Sequence, residues 1–182
     1  MAPFDLIHEF YDPNSEAYSI LVEHSEQVTE KALKIAKNVP WLNPDLEFIK
    51  QAAMLHDIAI FQTDALEIGC HGTYPYVVHG FLGRKILEKK GLPLHALVCE
   101  RHVGVGISCE EITDRKLPLP VRDMIPQSIE EIIICFADKF FSKDPNFNKR
   151  EKSIAEVVES ISRYGRKQTN RFVEWKTLLN YS

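Results

Sequence analysis

Ser128-Ile-Glu-Glu-Ile-Ile-Ile-Cys-Phe-Ala-Asp-Lys-Phe-Phe141 is the stretch on which the fold turns. It opens with a Ser-x-x-Glu helix start and carries an apolar run from Ile132 to Ala137, far too short to cross a bilayer. Asp138 then interrupts the run before Phe140 and Phe141 resume it. A helix apolar on most of its surface is a buried helix, so Asp138 is buried with it. An unpartnered carboxylate is prohibitively costly there. Something positive must sit against Asp138: a metal ion, a histidine or a basic side chain.

Outward from this segment the helical period continues in both directions. After Asn14 and Ser15, the residues Tyr18, Leu21, Val22, Val28, Ala32, Leu33, Ile35 and Ala36 recur at three- and four-residue steps up to Pro40. Asn43-Pro44-Asp45 predicts a cap with proline in the first turn, starting a second helix that runs through Leu55. A third helix is predicted from Val77 to Lys90, stopped by Gly91, and a fourth from Pro93 to near Gly104. Beyond the opening segment lie two more, around Ser153 to Tyr164 and Lys167 to Leu179. No segment alternates with period two for long enough to make a strand, so the fold class is all-α. Gln62 to Pro75 and Gly104 to Gln127 are broken by glycine and proline and resist helix. Loops of that length beside candidate ligands read as functional. With no repeat, low-complexity tract or linker, residues 1–182 read as one domain. Its core spans about 15–142, and the C-terminal helices of 150–180 pack on it.

With 182 residues, 45% hydrophobic and 26% charged, the chain can bury a core of its own and reads as a soluble globular protein. The net charge of -4 supplies no field for long nucleic acid or a membrane surface, which leaves a small-molecule partner. The first residues lack the basic and apolar regions of a secretory signal. Cys70, Cys99, Cys109 and Cys135 are widely spaced and form no CxxC pair, as expected of reduced thiols in a cytoplasmic protein. The sequence does not set the oligomeric state.

The chemistry lies in where the ionisable residues fall on these helices. His24 shares the inward face of Ile20, Leu21 and Val28; His56 stands one turn after Ala52 and Ala53; His102 stands one turn after Val98 and Cys99. Any one of them reads as a hydrogen-bonded core histidine, as His8 and His95 do. The ordered set His24, His56-Asp57, His79, His102 and Asp138 across successive helices is different, because one cation explains every member. Imidazole and carboxylate are ligands for divalent ions, and no cysteine is needed. The neighbours His56 and Asp57 point about 100° apart on an ideal helix, yet both can flank one ion near a helix end.

This pattern resembles the HD superfamily of metal-dependent phosphohydrolases over roughly Glu23 to Phe141. Glu23-His24-Ser25 is similar to the family's first histidine, Leu55-His56-Asp57-Ile58 to its defining pair, and Ala137-Asp138-Lys139 to its closing aspartate. Val78-His79-Gly80, the stretch from Glu100 to Gly106, and Ser128-Ile129-Glu130-Glu131 resemble a branch of small stand-alone HDIG-type proteins. The resemblance implies an HD-domain helical bundle holding one or two divalent metal ions (Fe, Mn, Zn, Ni, Co or Mg). His24, His56, Asp57 and Asp138 would hold the first. Asp57 would bridge to a second, completed by His79 and His102, and to a hydroxide attacking phosphorus in line. The implied substrate is a small phosphorylated metabolite such as a nucleotide. Relatives continue the pair as HDIG and then a basic residue, whereas this chain reads His56-Asp57-Ile58-Ala59-Ile60. Phosphate-binding charge must therefore come from elsewhere: Arg101 and Lys139 sit beside ligands, and His71 is either a turn residue or a substrate contact. On the ligands alone two further readings stay open, an HD-fold di-iron oxygenase and, ranked last, a non-catalytic HD signalling domain.

Overall fold

A computed structural model describes residues 2–144 and 150–181. In chain order the helices are α1 (Pro3–His8), α2 (Glu16–Asn38), α3 (Leu46–Leu55), α4 (His79–Lys89), α5 (Pro93–Arg101), α6 (Cys109–Asp114), α7 (Ile129–Asp138), α8 (Ile154–Ser162) and α9 (Arg166–Leu178). Two short strands, β1 (Asp64–Ala65) and β2 (Cys70–His71), pair antiparallel between α3 and α4. The fold is an all-α bundle. Among the described residues no helix is long and apolar enough to cross a membrane.

The segment that decides the fold forms the central helix. Residues Ile133 to Asp138 of α7 are buried, and the helix packs against α2, α3, α5 and α9. Phe136 stacks on Phe172 of α9 with ring centroids 4.6 Å apart, and both are fully buried. A second apolar cluster seats α1 through Leu6 and Ile7 against Leu21, Leu55 and Leu87. A third lies under residues 103–124, where Met124 and Ile112 pack on Val78 and Leu82.

Several local expectations change. Asp45, not Asn43, caps α3, accepting from the Phe48 amide, while Asn43 ends the preceding 3-10 turn in the left-handed region at φ 49°. The hydroxyl of Ser128 caps α7, but the Glu131 carboxylate turns to Arg101 and to the Gln127 amide and does not complete the box. Complete capping boxes occur instead at Ser108/Glu111 and Ser153/Glu156. α1, α6 and the two-residue strands lie in stretches too short for periodicity to register.

The closest helix pairing positions the site. A Cβ added at Gly80 of α4 would lie 2.4 Å from the Cys99 carbonyl oxygen of α5, and one at Gly83 would lie 3.1 Å from Cys99 Sγ. Only glycine allows this approach, which brings the start of α4, with His79, up to the end of α5, with His102. Gly80→Ala should therefore force the two helices apart and lower stability by about 1–3 kcal/mol. Chemical denaturation checks the loss, and a midpoint equal to that of the parent would contradict this packing account.

Candidate metal centre

Six side chains from five elements meet in the bundle interior: His24 on α2, His56 and Asp57 just past α3, His79 at the start of α4, His102 just past α5, and Asp138 at the end of α7. All are buried. They form two sets sharing Asp57. One contains His24, His56, Asp57 and Asp138, the other Asp57, His79 and His102, and the ligand atoms within each lie within 4.8 Å of one another.

Three of the histidines are oriented alike. His56 Nδ1 donates to the Ala53 carbonyl at 2.6 Å, His79 Nδ1 to the Tyr76 carbonyl at 2.6 Å, and His102 Nδ1 to the Cys99 carbonyl at 2.8 Å. Each partner lies three residues back. A carbonyl oxygen only accepts, so each Nδ1 carries a proton, and Nε2 is the nitrogen left to offer a lone pair to a metal. The Nε2 atoms of His79 and His102 face each other at 3.1 Å, and each lies 3.2 Å from Asp57 Oδ1. Burial pushes His102 down to about 4, keeping it neutral. Two such lone pairs and a carboxylate converging repel one another unless a cation, proton or metal, sits among them.

The other set behaves in the same way. His24 Nε2 lies 2.9 Å from Asp138 Oδ1 and 3.3 Å from Asp57 Oδ2; His56 Nε2 lies 3.1 Å from Asp57 Oδ2. Burial would lower the His56 imidazole, but Asp57 and Asp138 override it and push it up to about 9. The carboxylates thus draw positive charge, proton or metal, to that position. Neither Asp57 oxygen nor His56 Nε2 makes a hydrogen bond of ordinary geometry, although ion-pair contacts surround them. These donors fit a divalent cation bound by imidazole and carboxylate.

Lysines supply the remaining charge. Lys139 Nζ lies 2.5 Å from Asp138 Oδ2 and 3.1 Å from the His102 carbonyl. Lys143, which sequence reasoning missed, places Nζ 2.5 Å from Asp57 Oδ2 and 3.2 Å from His24 Nε2. Burial would raise the Asp57 carboxyl, but Lys143 and His56 hold it well below the usual carboxylate range. No motif marks Lys143, a single lysine beyond the end of α7. A cavity of about 620 Å³ opens beside the ligands, lined by Tyr76, Lys139, Lys143, Lys152, Tyr164 and Gln168.

The remaining candidates lie elsewhere. Arg101 places Nη1 2.9 Å from both oxygens of the buried Glu131, joining α5 to α7 outside the cavity lining. Arg101→Ala should cost about 2 kcal/mol in thermal unfolding by stranding that carboxylate, with metal uptake unchanged; lost uptake would give Arg101 a part in the centre. His71 sits exposed on β2 opposite Asp64, also outside the cavity lining. Arg84 and Arg122 both pair with the buried Glu100.

A family model described as HD domain matches residues 21–142. The chain belongs to the HD-domain family. The closing Asp138 of this HD domain and its His56-Asp57 pair both fall within the match. It is 30% identical to a tRNA (cytidine(56)-2'-O)-methyltransferase of Thermoplasma volcanium over 155 residues, 81% of this chain and 41% of the relative. A protein of the same name from Picrophilus torridus is 32% identical over 139 residues, 76% of this chain and 36% of the relative. An uncharacterized protein of Methanocaldococcus jannaschii is 31% identical over 147 residues, 79% of this chain and 76% of the relative. The chain thus spans about two-fifths of the methyltransferases it matches. No solved structure matches.

These relatives correct two expectations. A metal-dependent phosphohydrolase acting on a small phosphorylated metabolite is overturned by relatives named as tRNA methyltransferases. The physical reason is that a histidine and carboxylate set selects the ions that bind and carries no information about the bond transformed. The exclusion of long nucleic acid falls on the same finding, because these relatives act on tRNA. A net charge of -4 averages over the whole surface and is blind to lysines gathered at one cavity.

Proposed function

We propose that this HD domain binds divalent cations at the paired ligand sets and receives a phosphate-bearing unit of tRNA in the adjoining cavity. The observation that carries the proposal is the convergence of three main-chain-oriented imidazoles on Asp57, opening onto a cavity with three lysines. The tRNA comes from the relatives' names, although this chain spans only about two-fifths of their length.

His24, His56, Asp57 and Asp138 would hold one ion, and Asp57, His79 and His102 a second. Ions bound there would neutralise phosphate oxygens. Lys139 and Lys152 add charge from the cavity wall, and the half-buried Tyr76 packs against His79 with ring centroids 4.5 Å apart, limiting how that ring can turn. Burial lowers the Lys152 ammonium, as expected for a cation facing a partly enclosed space.

The test is fluorescence anisotropy of labelled, unfractionated tRNA in Mn²⁺ and after chelation. Binding should weaken at least about tenfold on chelation and fall with salt. No binding in Mn²⁺, or equal binding in both conditions, would sink the proposal. Lys152→Met should weaken binding a few-fold and flatten the log–log salt dependence by about 0.7–0.9, the share of one phosphate contact. An unchanged slope would remove Lys152 from the RNA-facing wall.

A further inference from the structure

The two ligand sets are not equivalent, and the difference is the position of one ammonium. Lys143 Nζ touches Asp57 Oδ2 at 2.5 Å and His24 Nε2 at 3.2 Å, two of the atoms that the four-residue set offers to a cation. Metal–ligand bonds to histidine and carboxylate are about 2.0–2.2 Å long. A divalent ion sharing Asp57 Oδ2 and His24 Nε2 with this ammonium would sit within a few ångströms of it, two cations repelling over shared ligand atoms, so the ammonium must withdraw for the ion to bind well. Lys139 does not compete in this way. It takes Asp138 Oδ2 and leaves Oδ1, the oxygen that faces His24 and His56.

The three-residue set has no such occupant. Asp57 Oδ1 and the Nε2 atoms of His79 and His102 lie 3.1–3.2 Å from one another, and the Lys143 ammonium sits against the other carboxylate oxygen, Oδ2. An ion entering there meets donors on the Oδ1 side of the carboxylate and need not expel Lys143 from Oδ2.

We infer that the metal sites fill in an order opposite to their ligand count: the Asp57, His79 and His102 site first, and the four-residue site only as Lys143 is displaced from Asp57. Lys143 is thus a tethered competitor for the second ion, holding its place at the high local concentration that a short tether gives. This rests on the two-ion reading above.

Calorimetric titration of the chelator-treated full chain with Mn²⁺ alone tests it. Two steps are expected. His79→Ala should remove the tighter step and His24→Ala the weaker. Lys143→Met, which keeps an apolar stem of similar reach without the charge, should strengthen the weaker step by roughly tenfold or more. Lys152→Met is the control for a general change in field and should shift it much less. Loss of the tighter step in His24→Ala overturns the inference even if Lys143→Met does not fold. An unmoved weaker step in folded Lys143→Met, or an equal gain in Lys152→Met, overturns it too. These results leave the two-ion reading standing, whereas no Mn²⁺ uptake by the parent chain overturns both.

Discussion

Asp57→Asn should abolish metal uptake at both positions together. Asp57 contributes Oδ2 to the set with His24, His56 and Asp138, and Oδ1 to the set with His79 and His102. An amide of the same shape has no charge and turns one donor nitrogen towards one of the two sets. Loss of partners that merely orient ligands costs 10–100-fold in metal affinity, so loss of the bridging ligand should cost about 100-fold or more. Metal analysis after gel filtration should find about two ions per parent chain and close to none in the variant. The variant also leaves Lys143 buried without its carboxylate, so added Mn²⁺ should raise the melting temperature of the parent and leave that of the variant unmoved. A variant still binding one ion would mean that one set closes without Asp57.

Phe172→Ala should produce the largest loss of stability. Its fully buried ring stacks on Phe136 of the central helix at an interplanar angle of 11° and holds α9 against the core. Removing it should cost about 3–5 kcal/mol, equivalent to a fall in melting temperature of roughly 10 °C for a chain of this size. The ligands stand on α2 to α7, so metal content should persist in the folded variant while tRNA binding weakens, since Gln168 of α9 walls the cavity and Arg171 donates to the Val105 and Gly106 carbonyls beside it. Metal loss equal to the loss of stability would show that the centre depends on the C-terminal helices.

The long helices could be read because each repeats an apolar face several times: the period ending at Pro40 is α2, and the run from Ile132 is α7. The positions of His24, His56, His102 and Asp138 were legible for the same reason, since a histidine or aspartate on an inward face is an anomaly in an otherwise apolar pattern. The expectation that Asp138 needs a positive partner holds through two of the three kinds it named, a basic side chain in Lys139 and a histidine in His24. Lys143 was illegible because a lone lysine past a helix end is ordinary by sequence, and only the return of the chain over Asp57 makes it part of the centre. Arg101 shows the converse. Adjacency to His102 suggested a substrate contact, but neighbours on a helix point apart, and its guanidinium faces Glu131. The reaction was illegible for a further reason: ligand chemistry records affinity for an ion and nothing of the molecule presented to it.

The residues supporting His56, His79 and His102 are an alanine, a tyrosine and a cysteine, and each accepts the Nδ1 proton on its peptide oxygen, with the Tyr76 ring adding a contact to His79. At Ala53 and Cys99 the scaffold that aims the imidazoles is therefore anonymous, since any amino acid there offers the same atom. Ala53 or Cys99 can drift to another small residue without turning a ring, so comparison of homologous chains will reveal the ligands while hiding what points them. Proline is the informative exception one residue later along each helical turn, where it would bend the carbonyl away and swing the imidazole out of line.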